Sequence, residues 1–164
     1  MEITRHQFMQ LMQKERRHIL WLGLLVGGMI LATLVGSHQV RTLSTAASSA
    51  EFIEQGRRVY ADQCASCHGA DLKGQPDWRS PLPSGRLPAP PHDESGHTWH
   101  HADEILFRIV REGTAAIVGG GYESDMPGFA DVLSDAEIRA VLAYIKSTWP
   151  EQERGYQEEA SRRD

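Results

Sequence analysis

The sequence predicts an all-α domain set behind a single apolar segment near the N-terminus. Three observations carry this. The stretches 51–65, 102–112 and 135–148 repeat apolar residues at three- to four-residue spacing, the period of one helix face. The long segment between the first two holds six prolines and shows neither a helical nor a strand period. An uncharged run of seventeen residues, Ile19 to Val35, stands apart from all of them.

At 1.5 Å per residue the apolar run makes about 25 Å of helix, near the lower limit for crossing a bilayer core. Arg5, Lys14, Arg16 and Arg17 precede it, and only Arg41 follows closely. That asymmetry predicts a cytoplasmic leader over 1–18, a transmembrane anchor over 19–36, and the rest of the chain on the outer, periplasmic side of the cytoplasmic membrane. A cleaved signal peptide is the competing reading. The eighteen-residue leader and the length of the apolar run favour an uncleaved anchor. Gly23 and Gly27 lie four apart, a spacing that admits a second membrane helix at close range. Residues 37–50 are small and polar and read as a flexible tether, with a reach on the order of 20 Å.

The globular domain is expected over 51–150. Its first helix places Phe52, Gly56, Val59 and Tyr60 on one face. The second has Ile105, Leu106, Ile109 and Val110 as its stripe and Gly113 as its stop. The third begins with the capping-box pattern Ser134 to Glu137, where Leu133 and Ile138 can form a hydrophobic staple. Ile138, Val141, Leu142 and Ile145 then line its buried side. Pro150 ends this helix, and 151–164 read as a charged tail. From residue 51 onward there are 12 Lys and Arg against 20 Asp and Glu, a balance of −8. That argues against nucleic acid as a partner and suits either a basic docking face on another protein or simple solubility.

Cys64-Ala65-Ser66-Cys67-His68 is the most informative stretch. Cys-x-x-Cys-His is the attachment pattern for a c-type haem. Two thiols three positions apart reach the two vinyl groups of one porphyrin, and the following His faces the iron as its proximal ligand. A redox dithiol needs no trailing His, and a structural zinc site needs a second ligand pair. The chain has only two cysteines, so the pattern predicts one covalently attached haem c. A cofactor of this size also explains a proline-rich loop from Lys73 to His101 that would otherwise be too long for a compact domain.

The distal ligand is expected at Met126, in a loop with Pro127 beside it. A thioether is a soft ligand that favours ferrous iron, so a His68/Met126 pair raises the reduction potential relative to two histidines. A methionine that merely fills the core is the alternative.

CASCH at 64–68, DMPGF at 125–129 and the helices around them resemble the class I cytochromes c over about Glu51 to Trp149. The resemblance implies a small helical wrap around one haem, with the first and last helices crossing where Gly56 meets Tyr144. It implies that a loop proline carbonyl accepts the proximal His68 Nδ1 proton, with Pro88, Pro90 and Pro91 all eligible. With its anchor, the chain is similar to membrane-tethered members of that family. The implied function is single-electron transfer without substrate chemistry. Expected partners are a quinol-oxidising complex as donor and a terminal oxidase, reductase or photosynthetic reaction centre as acceptor. A fixed haem subunit of a larger membrane oxidoreductase is the alternative. An iron left open on the Met126 side would instead suit a peroxidase or a sensor.

His92, His97, His100 and His101 fall within ten residues. Together with Asp93 and Glu94 they could bind copper or zinc. Packing against the haem edge, or capping of the second helix by His100 and His101, is the plainer expectation. Arg79 and Arg86 are candidates for offsetting propionate charge or for plain solvation.

Overall fold

The computed structural model describes Met29 and residues 48–163. The leader, the rest of the apolar run and most of the tether lie outside the described residues, and with them the anchor and the Gly23/Gly27 contact. Among the described residues no helix is long and apolar enough to cross a membrane.

Residues 48–63 are helical and form the described part of α1, and α2 is Ala65–His68. After a long loop come a 3₁₀ turn, Thr98–His100, and helices α3 (Asp103–Glu112), α4 (Thr114–Val118), α5 (Asp135–Ser147) and α6 (Glu151–Arg163). There is no strand among the described residues. The fold is the all-helical one that the periodicity predicts.

Helices α1 and α5 cross at Gly56. A Cβ placed there would overlap the Ala140 carbonyl and lie 3.0 Å from Tyr144 Cβ, so only glycine permits this approach. One turn on, the Tyr60 and Tyr144 rings meet at 5.5 Å. Phe52, one turn before the crossing, is exposed, because the buried face of α1 begins at Gly56. In α5 the expected residues Ile138, Val141, Leu142 and Ile145 are all buried. Its N-terminus carries the full capping box: the Ser134 hydroxyl accepts the Glu137 N–H, and the Glu137 carboxylate accepts the Ser134 N–H at 2.9 Å. In α3 the most buried residues are Leu106 and Phe107 rather than the whole expected stripe. Phe107 is covered by the Arg139 guanidinium, 4.5 Å above its ring.

Helix α6 occupies the stretch that sequence reading leaves as a charged tail. Its helicity follows from charge placement: Glu151 and Glu153 in the first turn and Arg162 and Arg163 in the last complement the helix dipole. Glu159 pairs with Arg162 at 2.6 Å, one turn along. It has no apolar stripe to announce it. Its docking is polar and aromatic instead. Gln157, fully buried, donates to Asp103 Oδ1 at 2.7 Å and to the His101 carbonyl at 3.3 Å. Tyr156 meets the Trp99 ring edge-on at 5.3 Å. Ser161 Oγ accepts the Asp103 N–H at 3.0 Å, capping α3 from a distant element. That role was expected of His100 and His101, whose side chains make no cap there.

Candidate cofactor site

Cys64 and Cys67 frame the short helix α2. The His68 N–H donates to the Cys64 carbonyl at 2.9 Å and the Gly69 N–H to Ala65 at 3.0 Å, so one turn carries both thiols and the histidine. Both cysteines are free, Cys64 half-buried and Cys67 exposed. Burial, and secondarily the neighbouring Cys67, push the Cys64 thiol up to about 11. A redox dithiol works through a depressed thiolate. The Cys64 shift runs in the opposite direction.

His68 is buried, with 6% of its surface exposed. Its Nδ1 lies 2.8 Å from the Pro90 carbonyl, which can only accept, so Nδ1 carries the proton and Nε2 keeps its lone pair. Of the three eligible prolines the structure selects Pro90. Burial pushes the His68 pKa below its usual value, opposed by the Pro90 bond. The selection depends on Gly74. Its φ of +66° suits glycine, and a Cβ there would strike Pro91 N, Pro90 C and the Ala89 carbonyl at 2.5–2.7 Å. Gly74 N–H to the His68 carbonyl (2.8 Å) and Gln75 N–H to the Ala89 carbonyl (2.9 Å) then bind the two backbone runs together. Tyr60 closes the other side, its hydroxyl donating to the Gly69 carbonyl at 2.9 Å.

Met126 is positioned by a different part of the chain. Its N–H donates to Ser124 Oγ at 3.1 Å, and the Thr114 hydroxyl donates to its sulfur at 3.4 Å. The loop beyond it crosses the end of α3 through paired glycines. A Cβ on Gly128 would meet Arg111 and Glu112 backbone atoms at 2.7–2.8 Å, and one on Gly113 (φ +89°) would meet Gly128 N at 2.8 Å. Phe129 N–H to the Val110 carbonyl (3.0 Å) completes the dock. Arg86, from the proline-rich loop, pairs with Asp125 and with Glu123 (3.4 Å), on either side of Ser124 and next to Met126. Thr114 carries no sequence signal. Arg86, a candidate for offsetting propionate charge or for plain solvation, also ties the Met126 loop through exposed ion pairs.

The four histidines do not converge. His97 stacks on Trp78 at 5.3 Å and meets His101 edge-on at 5.5 Å. His100 lies on Trp99 at 3.7 Å, and His92 faces inward onto His68. No group of three or more His, Cys, Asp or Glu among the described residues could hold a metal ion. Arg79 lies over Trp78, 4.0 Å from its centroid.

The residues present fit a covalently held haem. Two unpaired thiols flank one helical turn, the next residue is a buried imidazole with its outer nitrogen tied and its inner one free, and a thioether is held separately by a hydroxyl. The comparisons agree. A 42-residue stretch is 50% identical to the cbb3-type cytochrome c oxidase subunit FixP of Sinorhizobium medicae, covering 26% of this chain and 14% of that protein. The subunit CcoP of Rhodobacter capsulatus is 27% identical over 95 residues, 56% of this chain and 28% of its own length. A nitrite reductase of Stutzerimonas stutzeri is 28% identical over 134 residues, 75% of this chain and 21% of its own. The chain therefore spans under a third of each of these relatives. No solved structure matches it. The cytochrome c family model matches residues 53–149, from within α1 to just past α5, and the chain belongs to that family.

Proposed function

We propose that this chain is the electron-carrying haem c subunit of a membrane oxidoreductase, of the oxidase kind. The observation that carries the haem reading is the His68–Pro90 bond directly after two free thiols. When bound, haem c supplies reversible one-electron exchange at iron. Cys64 and Cys67 would hold it by thioether bonds, His68 would offer its Nε2 lone pair, and Met126 would offer its sulfur as a second ligand. Pro90 keeps the His68 proton on Nδ1, and Thr114 polarises the Met126 sulfur. Two strong ligands leave no position for a substrate, so the role is transfer rather than bond-making.

The relatives that are oxidase subunits favour a fixed subunit over the freely diffusing tethered carrier that sequence reading put first. Under this reading residues 19–36 anchor the chain, the haem domain faces the periplasm, and Gly23 and Gly27 face a helix of the complex. A quinol-oxidising complex remains the natural donor and a terminal oxidase the acceptor.

Two measurements test this. The oxidised protein should show the weak long-wavelength band of iron–sulfur ligation, lost in Met126→Ala, and the reduced wild type should bind carbon monoxide poorly. Mild detergent extraction of native membranes should recover oxidase subunits in fixed ratio. Ready carbon monoxide uptake would remove Met126 as a ligand and favour a sensor or peroxidase. Extraction of the chain alone would favour the tethered carrier.

A further inference from the structure

His92 is a half-buried imidazole outside the set Cys64, Cys67, His68 and Met126. Its ring stacks on His68, centroids 4.0 Å apart and planes 24° from parallel. Three contacts hold it. Its N–H donates to the Leu72 carbonyl at 2.7 Å, its own carbonyl accepts the Trp149 indole N–H at 2.6 Å, and its Nδ1 pairs with Thr98 Oγ1 at 2.8 Å. Each holder is itself buried: Leu72, Thr98 and Trp149 all lie in the interior. Leu72 adopts φ +67°, an expensive conformation for a branched residue. A leucine would fill the His92 volume without burying ring nitrogens, so packing alone does not call for an imidazole.

The Pro90 bond restrains His68 at one edge only. A ring held by one in-plane hydrogen bond can still turn about that bond. A second ring stacked on its face blocks that motion. Pro90 and His92 are two residues apart, so one short piece of chain grips His68 by edge and by face. We infer that His92 is a positioning residue for the proximal ligand: it sets the rotation of the His68 ring and places π density against it. This rests on His68 being the ligand, as proposed above. The stacked His92 ring turns its π face toward His68. Such a face would favour the more positive, ferric state of an iron bound to the ring opposite it.

The test is redox titration and electron paramagnetic resonance of haem-loaded full-length protein. His92→Leu should shift the reduced-to-oxidised ratio at a given potential three- to tenfold toward reduced, where tenfold corresponds to 59 mV for one electron. It should also change the g-value anisotropy that reports proximal ring orientation. His92→Phe keeps a stacked ring and should stay within about twofold of wild type. A purely packing role would lower thermal stability in both variants and leave potential and g-values alone. That result overturns the inference, as would equal shifts in Leu and Phe. If His92→Leu does not fold, Thr98→Val frees the ring edge, and unchanged g-values there overturn it. A wild type without a low-spin spectrum would strike the His68 ligand reading itself, and the inference with it.

Discussion

Replacing Gly56 by alanine sets two opposed effects against each other at one atom. Alanine is the better helix former by about 1 kcal/mol at an interior position. The added methyl, however, would lie 2.5 Å from the Ala140 carbonyl carbon and closer still to its oxygen. The obstacle is helix backbone, which has no rotamer to move to, so α1 and α5 must separate around Tyr60 and Tyr144. Overpacking of this kind costs about 1–3 kcal/mol, and a backbone obstacle belongs at the upper end. The net loss is then about 1–2 kcal/mol. At roughly 4–8 °C per kcal/mol for a domain near 100 residues, Tm should fall by about 5–15 °C. Gly155 supplies the control. It too is helical, but its Cβ would meet nothing within 4 Å, so Gly155→Ala should gain up to about 1 kcal/mol. Thermal unfolding of both variants by circular dichroism reads the contrast. If Gly56→Ala matches or exceeds wild type, the crossing of α1 on α5 is not as close as described.

Three further outcomes are expected. Thr114→Val removes the hydroxyl that draws density from the Met126 sulfur, so it should favour ferric iron by roughly two- to threefold, a change on the order of 0.5 kcal/mol read by redox titration. Arg86→Ala breaks exposed ion pairs, which are worth about 0–1 kcal/mol globally. Tm should scarcely move, while amide exchange in peptides covering 119–127 should quicken, more so at low salt where the wild-type pairs are least screened. Ser134→Ala should cost about 1 kcal/mol by removing the α5 cap, measured by denaturant unfolding. The Ser134 hydroxyl and N–H hold the Glu137 carboxyl below its ordinary value of 4.5, so the unfolded state takes up a proton first on acidification. The contribution is full above that value and lost as pH falls through the depressed one, so the gap between wild type and variant should narrow in acid.

Local chemistry was legible in the sequence, and contacts between distant segments were not. The turn carrying Cys64, Cys67 and His68 is written in five consecutive residues. The α5 cap is written in four, and both appear as read. Pro90 could not be chosen over Pro88 or Pro91 because the choice is made by Gly74, through a backbone approach that no periodicity records. Helix α6 escaped because periodicity finds apolar stripes, and α6 is held by Gln157, Tyr156 and Ser161. His92 was grouped with its sequence neighbours as a possible metal ligand. Its direction is set by Leu72, Thr98 and Trp149, which lie between six and 57 residues away.

The family match ends at Trp149, but the mechanical support of the site does not. Trp149 holds the His92 carbonyl, and the chain then turns at Pro150, where the Arg154 guanidinium donates to the Trp149 carbonyl at 2.7 Å. From there α6 lays Tyr156 on Trp99 and His100, Gln157 on the His101 carbonyl, and Ser161 on the Asp103 N–H. All of these are in or beside the 3₁₀ turn that carries Thr98, the partner of the His92 ring. The proline-rich loop has little regular structure of its own to resist motion. Its leading end is pinned to Gly74 and its trailing end to α6, and the segment between them is the one that grips His68. An unusually polar helix can serve here because it closes over aromatic rings and backbone polar groups, which need hydrogen-bond partners rather than an apolar cover.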